Sequence, residues 1–142
     1  MAVSRKLSDL IAHQGAMCLL ERIEAWDATK IQCRANSHLD PGNPLRRDGR
    51  LSGVCGIEYG LQAAAAHGAL LADGAADPAG YLASLRGIKI DIGRLDDPTL
   101  GELVVVAILS LRDIAGCIYE FSVASQAGRI LVSGHAAIVF PR

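Results

Sequence analysis

The stretch from Gly53 to Ala72 reads GVCGIEYGLQAAAAHGALLA. The residues are small and mostly apolar on every side, and the alanine run favours helix despite several costly glycines. A helix that is apolar all round is expected to be buried all round. In a soluble chain of 142 residues one such helix is enclosed if a curved antiparallel sheet wraps it. Gly56, Gly60 and Gly68 would then let helix and sheet backbones approach closely. The only carboxylate in the run is Glu58, near its N-terminal end, with Gln62 one turn further along the same face.

The flanking sequence supplies the sheet. A short helix or turn over Ser8 to His13 leads to a strand around Leu19 to Trp26, and Asp27-Ala28 is the expected turn. Thr29, Ile31, Cys33 and Ala35 then alternate with Lys30, Gln32, Arg34 and Asn36, the period of a strand with one wet face. His38 to Leu51 holds Pro41, Gly42, Asn43, Pro44, Asp48 and Gly49, which is loop chemistry. Beyond the helix, strands are expected over Gly80 to Ile92, Glu102 to Leu111, Cys117 to Ser125 and Arg129 to Phe140. Ile88, Ile90 and Ile92 alternate with Lys89 and Asp91, and Tyr119, Phe121 and Val123 alternate with Glu120 and Ser122. Gln126 to Gly128 supplies a hairpin turn. The order strand, strand, loop, long helix, four strands predicts an α+β fold, one domain over residues 1–142, with one sheet curled around a helix at about 53–72.

Composition narrows the functions. With 51% hydrophobic residues the chain has ample material for a core. A net charge of -1 lacks the basic footprint of a nucleic-acid binder. Cys18, Cys33, Cys55 and Cys117 form no C-x-x-C pair, so they read as reduced thiols rather than a zinc knuckle or a disulfide framework. Residues Met1 to Leu10 lack the apolar stretch of a signal peptide, and no apolar run is long enough to span a membrane, so a cytoplasmic soluble protein is expected.

Two residues carry the chemistry. Glu58 is a lone acid in an apolar helix. It is held there either by the helix dipole or a pairing with Arg50, or as an acid whose burial raises its pKa so that it donates a proton near neutrality. His38 stands where the alternating strand gives way to the loop. It reads either as a solvent-exposed loop histidine or as a catalytic group held by a rigid element.

A resemblance adds to these readings. IAHQGAMCLLERI (Ile11 to Ile23) resembles the opening of bacterial 3-hydroxyacyl-acyl-carrier-protein dehydratases, where a Pro-His stretch precedes a Leu-Leu-(Asp/Glu)-Arg strand. SHLDPGNPLRRDGRLSGVCGIEYGLQAAAAHGA (Ser37 to Ala69) resembles their His-containing loop and the Gly-x-x-x-x-Glu/Asp-x-x-x-Gln helix after it. GYLASLRGIKI and the terminal strands fit the rest. The Asn-Pro-Leu-Arg loop is most similar to the dehydratase-like proteins of aryl polyene and related type II polyketide pathways. The interval from His38 to Glu58 is longer than in the housekeeping members, and Ser37-His38-Leu39-Asp40 replaces their Gly-His-Phe-Pro.

The resemblance implies a hot-dog fold and dehydration of a 3-hydroxyacyl thioester to a trans-2-enoyl thioester. His38 would take the α-proton, and Glu58 would protonate the departing 3-hydroxyl. Gly53, with Val54 beside it, would offer a backbone N–H to the thioester oxygen. Gln62 would lie behind them, orienting Glu58 or a neighbouring loop. No metal or redox cofactor is implied, the acyl group being carried on the phosphopantetheine of an acyl carrier protein. Arg46, Arg47 and Arg50 form the local basic cluster, read either as a solvated loop or as the dock for that carrier or its phosphate. The implied assembly is a homodimer, or a heterodimer with a homologous dehydratase, its His and acid coming from different protomers. The alternatives are a non-catalytic or weakly active subunit of a heterodimer, or a hot-dog thioesterase. Among the remaining candidates, His13 and His67 read as structural, His135 as a packed strand histidine, and Cys55 as a small buried hydrophobe.

Overall fold

A computed structural model describes residues 17–72 and 80–141. The expected turn or helix at Ser8 to His13, and His13 itself, lie outside them. Six strands form one antiparallel sheet: β1 (Arg22–Trp26), β2 (Lys30–Ala35), β3 (Tyr81–Ile90), β4 (Leu103–Arg112), β5 (Gly116–Ala124) and β6 (Ile130–Val139). Their spatial order is β1-β2-β4-β5-β6-β3, and every pair is antiparallel. One long helix, α1 (Gly56–Ala72), packs on the inner face, preceded by a tight turn at Gly53–Cys55. A sheet curled about one central helix is the hot-dog fold expected from the sequence.

Alternation in the sequence becomes the two faces of the sheet. Ile31, Cys33 and Ala35 are fully buried, as are Leu103, Val105 and Ala107 on β4, while Tyr119, Phe121 and Val123 face the core from β5. Ile31, Ala107, Phe121 and Gly134 are neighbours across β2, β4, β5 and β6. The Phe121 ring projects from this row against Gly60, where a Cβ would run into the ring itself. A Cβ at Gly56 would likewise meet the Val132 side chain, 2.7 Å away at Cγ2. These two glycines permit the close approach expected of them. Gly68 does not take part, since nothing lies within 4 Å of a Cβ placed there.

The expected turns form. Asp27 Oδ1 accepts from Thr29 N and Lys30 N, each at 2.9 Å, and closes β1 onto β2. Gly128, at φ 98°, closes β5 onto β6.

Two expectations are corrected. Helix α1 is not buried all round: Ala65 is exposed, and Glu58, Leu61, Gly68 and Ala72 are half-buried. With Val54, 51% exposed, they are spaced by fours and threes along one side, the stripe opposite the sheet. A single layer covers only one side of a helix. The alternation of Ile88, Ile90 and Ile92 is kept only in part: Ile88 and Ile92 pack against the core, and Ile90 does not stay buried with them. Strand β3 is an edge strand paired only with β6, its register shifts between Arg86 and Lys89, and Ile90 is 44% exposed. No helix among the described residues is long and apolar enough to cross a membrane.

Candidate functional site

Strand β2 ends in a single tight turn, Ser37–Leu39, which carries His38 inward. The imidazole is fully buried, against the exposed reading of a loop histidine. Its Nε2 lies 2.9 Å from the carbonyl oxygen of Gly101. A carbonyl only accepts, so Nε2 bears the proton and donates it. The neutral ring then carries its lone pair on Nδ1, and Nδ1 is the one buried side-chain nitrogen or oxygen without a hydrogen-bond partner among the described residues. Burial pushes the pKa of His38 below its ordinary value, outweighing the hydrogen bond to Gly101. An unprotonated ring at neutral pH suits a proton acceptor.

The loop after His38 is closed by one side chain. Arg46 donates from Nε to Asp40 O at 2.9 Å, from Nη1 to Gly49 O at 3.0 Å and from Nη2 to His38 O at 3.1 Å. Its Nη1 also lies 3.4 Å from Asp96 Oδ2. The three expected arginines therefore separate. Arg46 is a clamp, with four of its five N–H groups turned back on the loop's own carbonyls and on Asp96. Arg47 and Arg50 remain exposed and without ion-pair partners among the described residues. They flank a two-residue hairpin turn, bonded to each other N to O at 2.8 and 2.9 Å, with Asp48 and Gly49 both at positive φ. Cross-strand neighbours of like charge repel.

A chain of polar groups, unread in the sequence, lies beneath the loop. Ser37 Oγ donates to Leu19 O at 2.6 Å, so the Tyr59 hydroxyl, 2.7 Å away, donates to Ser37 Oγ. Asn43 Nδ2 donates to Tyr59 Oη at 3.2 Å and to Ser37 O at 2.9 Å, while Asn43 Oδ1 accepts from Leu45 N. Every proton has a place. The signal available in the sequence was Tyr59, the single tyrosine in a helix of otherwise small or aliphatic residues beside Glu58.

Glu58 lies on the first turn of α1, half-buried on the open stripe. It has no hydrogen bond or ion pair among the described residues, so the pairing with Arg50 does not form. No hydrogen bond joins Glu58 to His38 within the chain. The Gln62 amide is fully buried, accepting from Leu19 N at 2.9 Å and donating to Met17 O at 2.6 Å. It thus orients the segment before β1, a neighbouring stretch of chain, rather than Glu58.

Gly53 requires a correction. Its N–H donates to Gly93 O at 3.1 Å, so it is not free for a thioester oxygen. A Cβ there would run into Ile92 O, and the glycine serves the close approach of helix start and sheet end. The neighbouring Val54 N–H has no acceptor among the described residues.

The other candidates settle as follows. His67 is fully buried, with Nδ1 2.7 Å from Tyr119 Oη and Nε2 2.8 Å from Asp27 O. It is the satisfied core histidine expected. His135 is exposed on the outer face opposite Arg86 and Glu120, not packed. Cys55 is half-buried against the core, its Sγ near Leu45 O, and burial pushes its thiol pKa up. No disulfide joins any two of the four cysteines.

Fold and site define a hot-dog protein whose central helix bears one carboxylate and whose second strand ends in a buried histidine. The chain belongs to the ApeP-like family: the family's sequence model, described as ApeP dehydratase, matches residues 5–142. No curated protein matches it. Among solved structures it is similar to the dehydratase heterocomplex ApeI:P from Xenorhabdus doucetiae, with 20% identity over 96% of this chain and 91% of that one and a TM-score of 0.80. It is also similar to AziG of S. sahachiroi, 17% identical over 89% and 93% of the two chains, TM-score 0.65. A hypothetical thioesterase from Streptococcus pneumoniae, solved with coenzyme A, is 15% identical over 84% of each chain, TM-score 0.60. These structural likenesses concern the fold.

Proposed function

We propose that this chain dehydrates 3-hydroxyacyl thioesters carried on an acyl carrier protein, giving trans-2-enoyl thioesters of the aryl polyene type. The observation that carries the reading is the neutral, buried His38 with an unshared lone pair on Nδ1. His38 takes the C2 proton while the Val54 N–H steadies the thioester oxygen. The C3–O bond breaks, and the Glu58 carboxylic acid protonates the leaving hydroxyl to water. Transfer of a proton from His38 back to Glu58 resets the site. Arg47 and Arg50 attract the carrier's phosphate and acidic surface.

The functional unit in this reading is a pair of protomers. Support comes from the open stripe on α1 and from edge strand β3, where Tyr81, Leu82, Leu85 and Ile90 are 67%, 48%, 37% and 44% exposed. An unpaired edge with apolar side chains invites a second sheet. A covering protomer would shield Glu58 from water. The partner is a copy of this chain or a homologous dehydratase, as in the heterocomplex named above.

A second reading is favoured by one observation. His38 has no exposed surface, and a subunit in which it stays enclosed serves only to support a catalytic homologue. Mass spectrometry of a carrier-bound 3-hydroxyacyl substrate incubated with the protein, alone and with a homologous dehydratase, decides. Loss of water by the protein alone is expected. Turnover that depends wholly on the homologue's own site supports the second reading, and release of free acid would instead make this a thioesterase.

A further inference from the structure

The hydrogen bond to His38 begins at an unusual piece of backbone. Gly101 has φ 67° and ψ −155°, a region that essentially only glycine occupies. A Cβ at Gly101 would run into the side chain of Gln126. The surroundings hold this backbone from both sides. Gln126 N donates to Leu100 O at 2.9 Å, and Gln126 Oε1 accepts from Glu102 N at 3.0 Å. The Glu102 carboxylate is bound by both terminal nitrogens of Arg22 at 2.9 Å and by Asn36 Nδ2 at 2.9 Å.

Gly101 C=O and Glu102 N–H belong to one planar peptide group and point in opposite directions. Gln126 therefore grips one end of that group, and the other end is aimed at His38 Nε2. We propose that Gly101 and Gln126 are positioning residues that lock His38 in its Nε2–H tautomer, making Nδ1 the proton-accepting atom. This deepens the dehydratase reading and rests on it for the role of Nδ1. A neutral histidine exchanges its proton freely between the two nitrogens in water. Here one nitrogen faces a fixed acceptor and the other faces none, so a single tautomer is held. The unsatisfied Nδ1 is the corresponding cost, a buried acceptor left without a donor. Nothing else in the described residues uses it.

The test is nitrogen-15 NMR of the imidazole rings in the full chain, with the His38 signals assigned through His38→Gln. The expected wild-type spectrum shows His38 protonated at Nε2 and bare at Nδ1. Gln126→Leu removes the Glu102 N–H acceptor at an exposed position and should leave the fold intact. It is expected to mix the tautomers and to lower kcat roughly ten- to hundredfold with KM nearly unchanged. Gln126→Glu retains an acceptor oxygen and should restore both. A wild-type spectrum with the proton on Nδ1 overturns the inference, as does a Gln126→Leu protein with wild-type tautomer and kcat. Because the tautomer is read without turnover, this wiring fails separately from the dehydratase reading, which is tested by whether His38→Ala still forms enoyl product.

Discussion

The hydroxyls of Tyr59 and Ser37 lie 2.7 Å apart, tying the neighbour of Glu58 on the helix to the neighbour of His38 at the end of β2. The link sets where the histidine turn sits on the helix that bears the acid. Tyr59→Phe removes the hydroxyl that accepts from Asn43 and donates to Ser37. It should lower stability by about 1–2 kcal/mol, read as a lower urea midpoint at unchanged m-value. An unchanged midpoint would mean that the chain Asn43–Tyr59–Ser37 holds nothing in place.

Arg46 and its two neighbours should behave differently. Arg46→Ala strips three carbonyls and Asp96 of a charged donor, with an expected loss of about 2–3 kcal/mol and faster proteolysis between Asp40 and Gly49. Arg47→Ala and Arg50→Ala should stay within about 0.5 kcal/mol of wild type and instead weaken binding of the carrier protein. Equal destabilisation by all three would refute the separation of clamp from docking pair.

Two glycines of α1 should respond in opposite directions to alanine. Gly60→Ala forces a Cβ into the Phe121 ring and should cost about 1–3 kcal/mol. Gly68→Ala has open space around it and should gain up to about 1 kcal/mol from helix propensity. Thermal melts of the two variants make the comparison, and a reversed order would contradict the packing described.

Stability should fall on mild acidification. Burial lowers the pKa of both His38 and His67 below 6.5, so below that pH the unfolded chain binds protons that the folded chain refuses. The stabilisation is complete above 6.5 and is lost as the pH drops toward the folded-state values. The carboxylates add a separate loss at lower pH: Glu102 is pulled down to about 2 by Arg22 and Asn36, and Asp96 lower still by Arg94. Urea midpoints should therefore be lower at pH 5.5 than at 7.5. A higher midpoint at pH 5.5 would contradict the burial of the two rings.

Much of this was legible in the sequence, for physical reasons. Alternation in β2 and β5 reports a sheet with one buried face, and the run from Gly53 to Ala72 reports a helix that sheet must cover. The same signal overstated burial, because the residues of the open stripe, Leu61, Ala65, Gly68 and Ala72, are as apolar as the residues that face the sheet. Ile90 departs from the alternation because the register of β3 against β6 shifts between Arg86 and Lys89. His38 and Glu58 stood out as ionisable groups at marked places. Their supports did not: the carbonyl of Gly101 acts through its backbone, and the contacts of Arg46 depend on a loop path that composition leaves open. Gly53 was misread because a glycine before a helix serves an anion and a close backbone contact equally well.

His38 and Glu58 of paired protomers form one dehydrating site in this reading, and mixing two inactive variants tests it. His38→Ala and Glu58→Ala, each shown to be folded, are assayed singly and after co-refolding for enoyl formation from a carrier-bound 3-hydroxyacyl thioester. Each alone should lose on the order of a hundredfold or more in rate, and the mixture should recover activity through the site that pairs an intact His38 with an intact Glu58 across the interface. Wild-type turnover by both single variants, or no recovery in the mixture, would rule out a shared site.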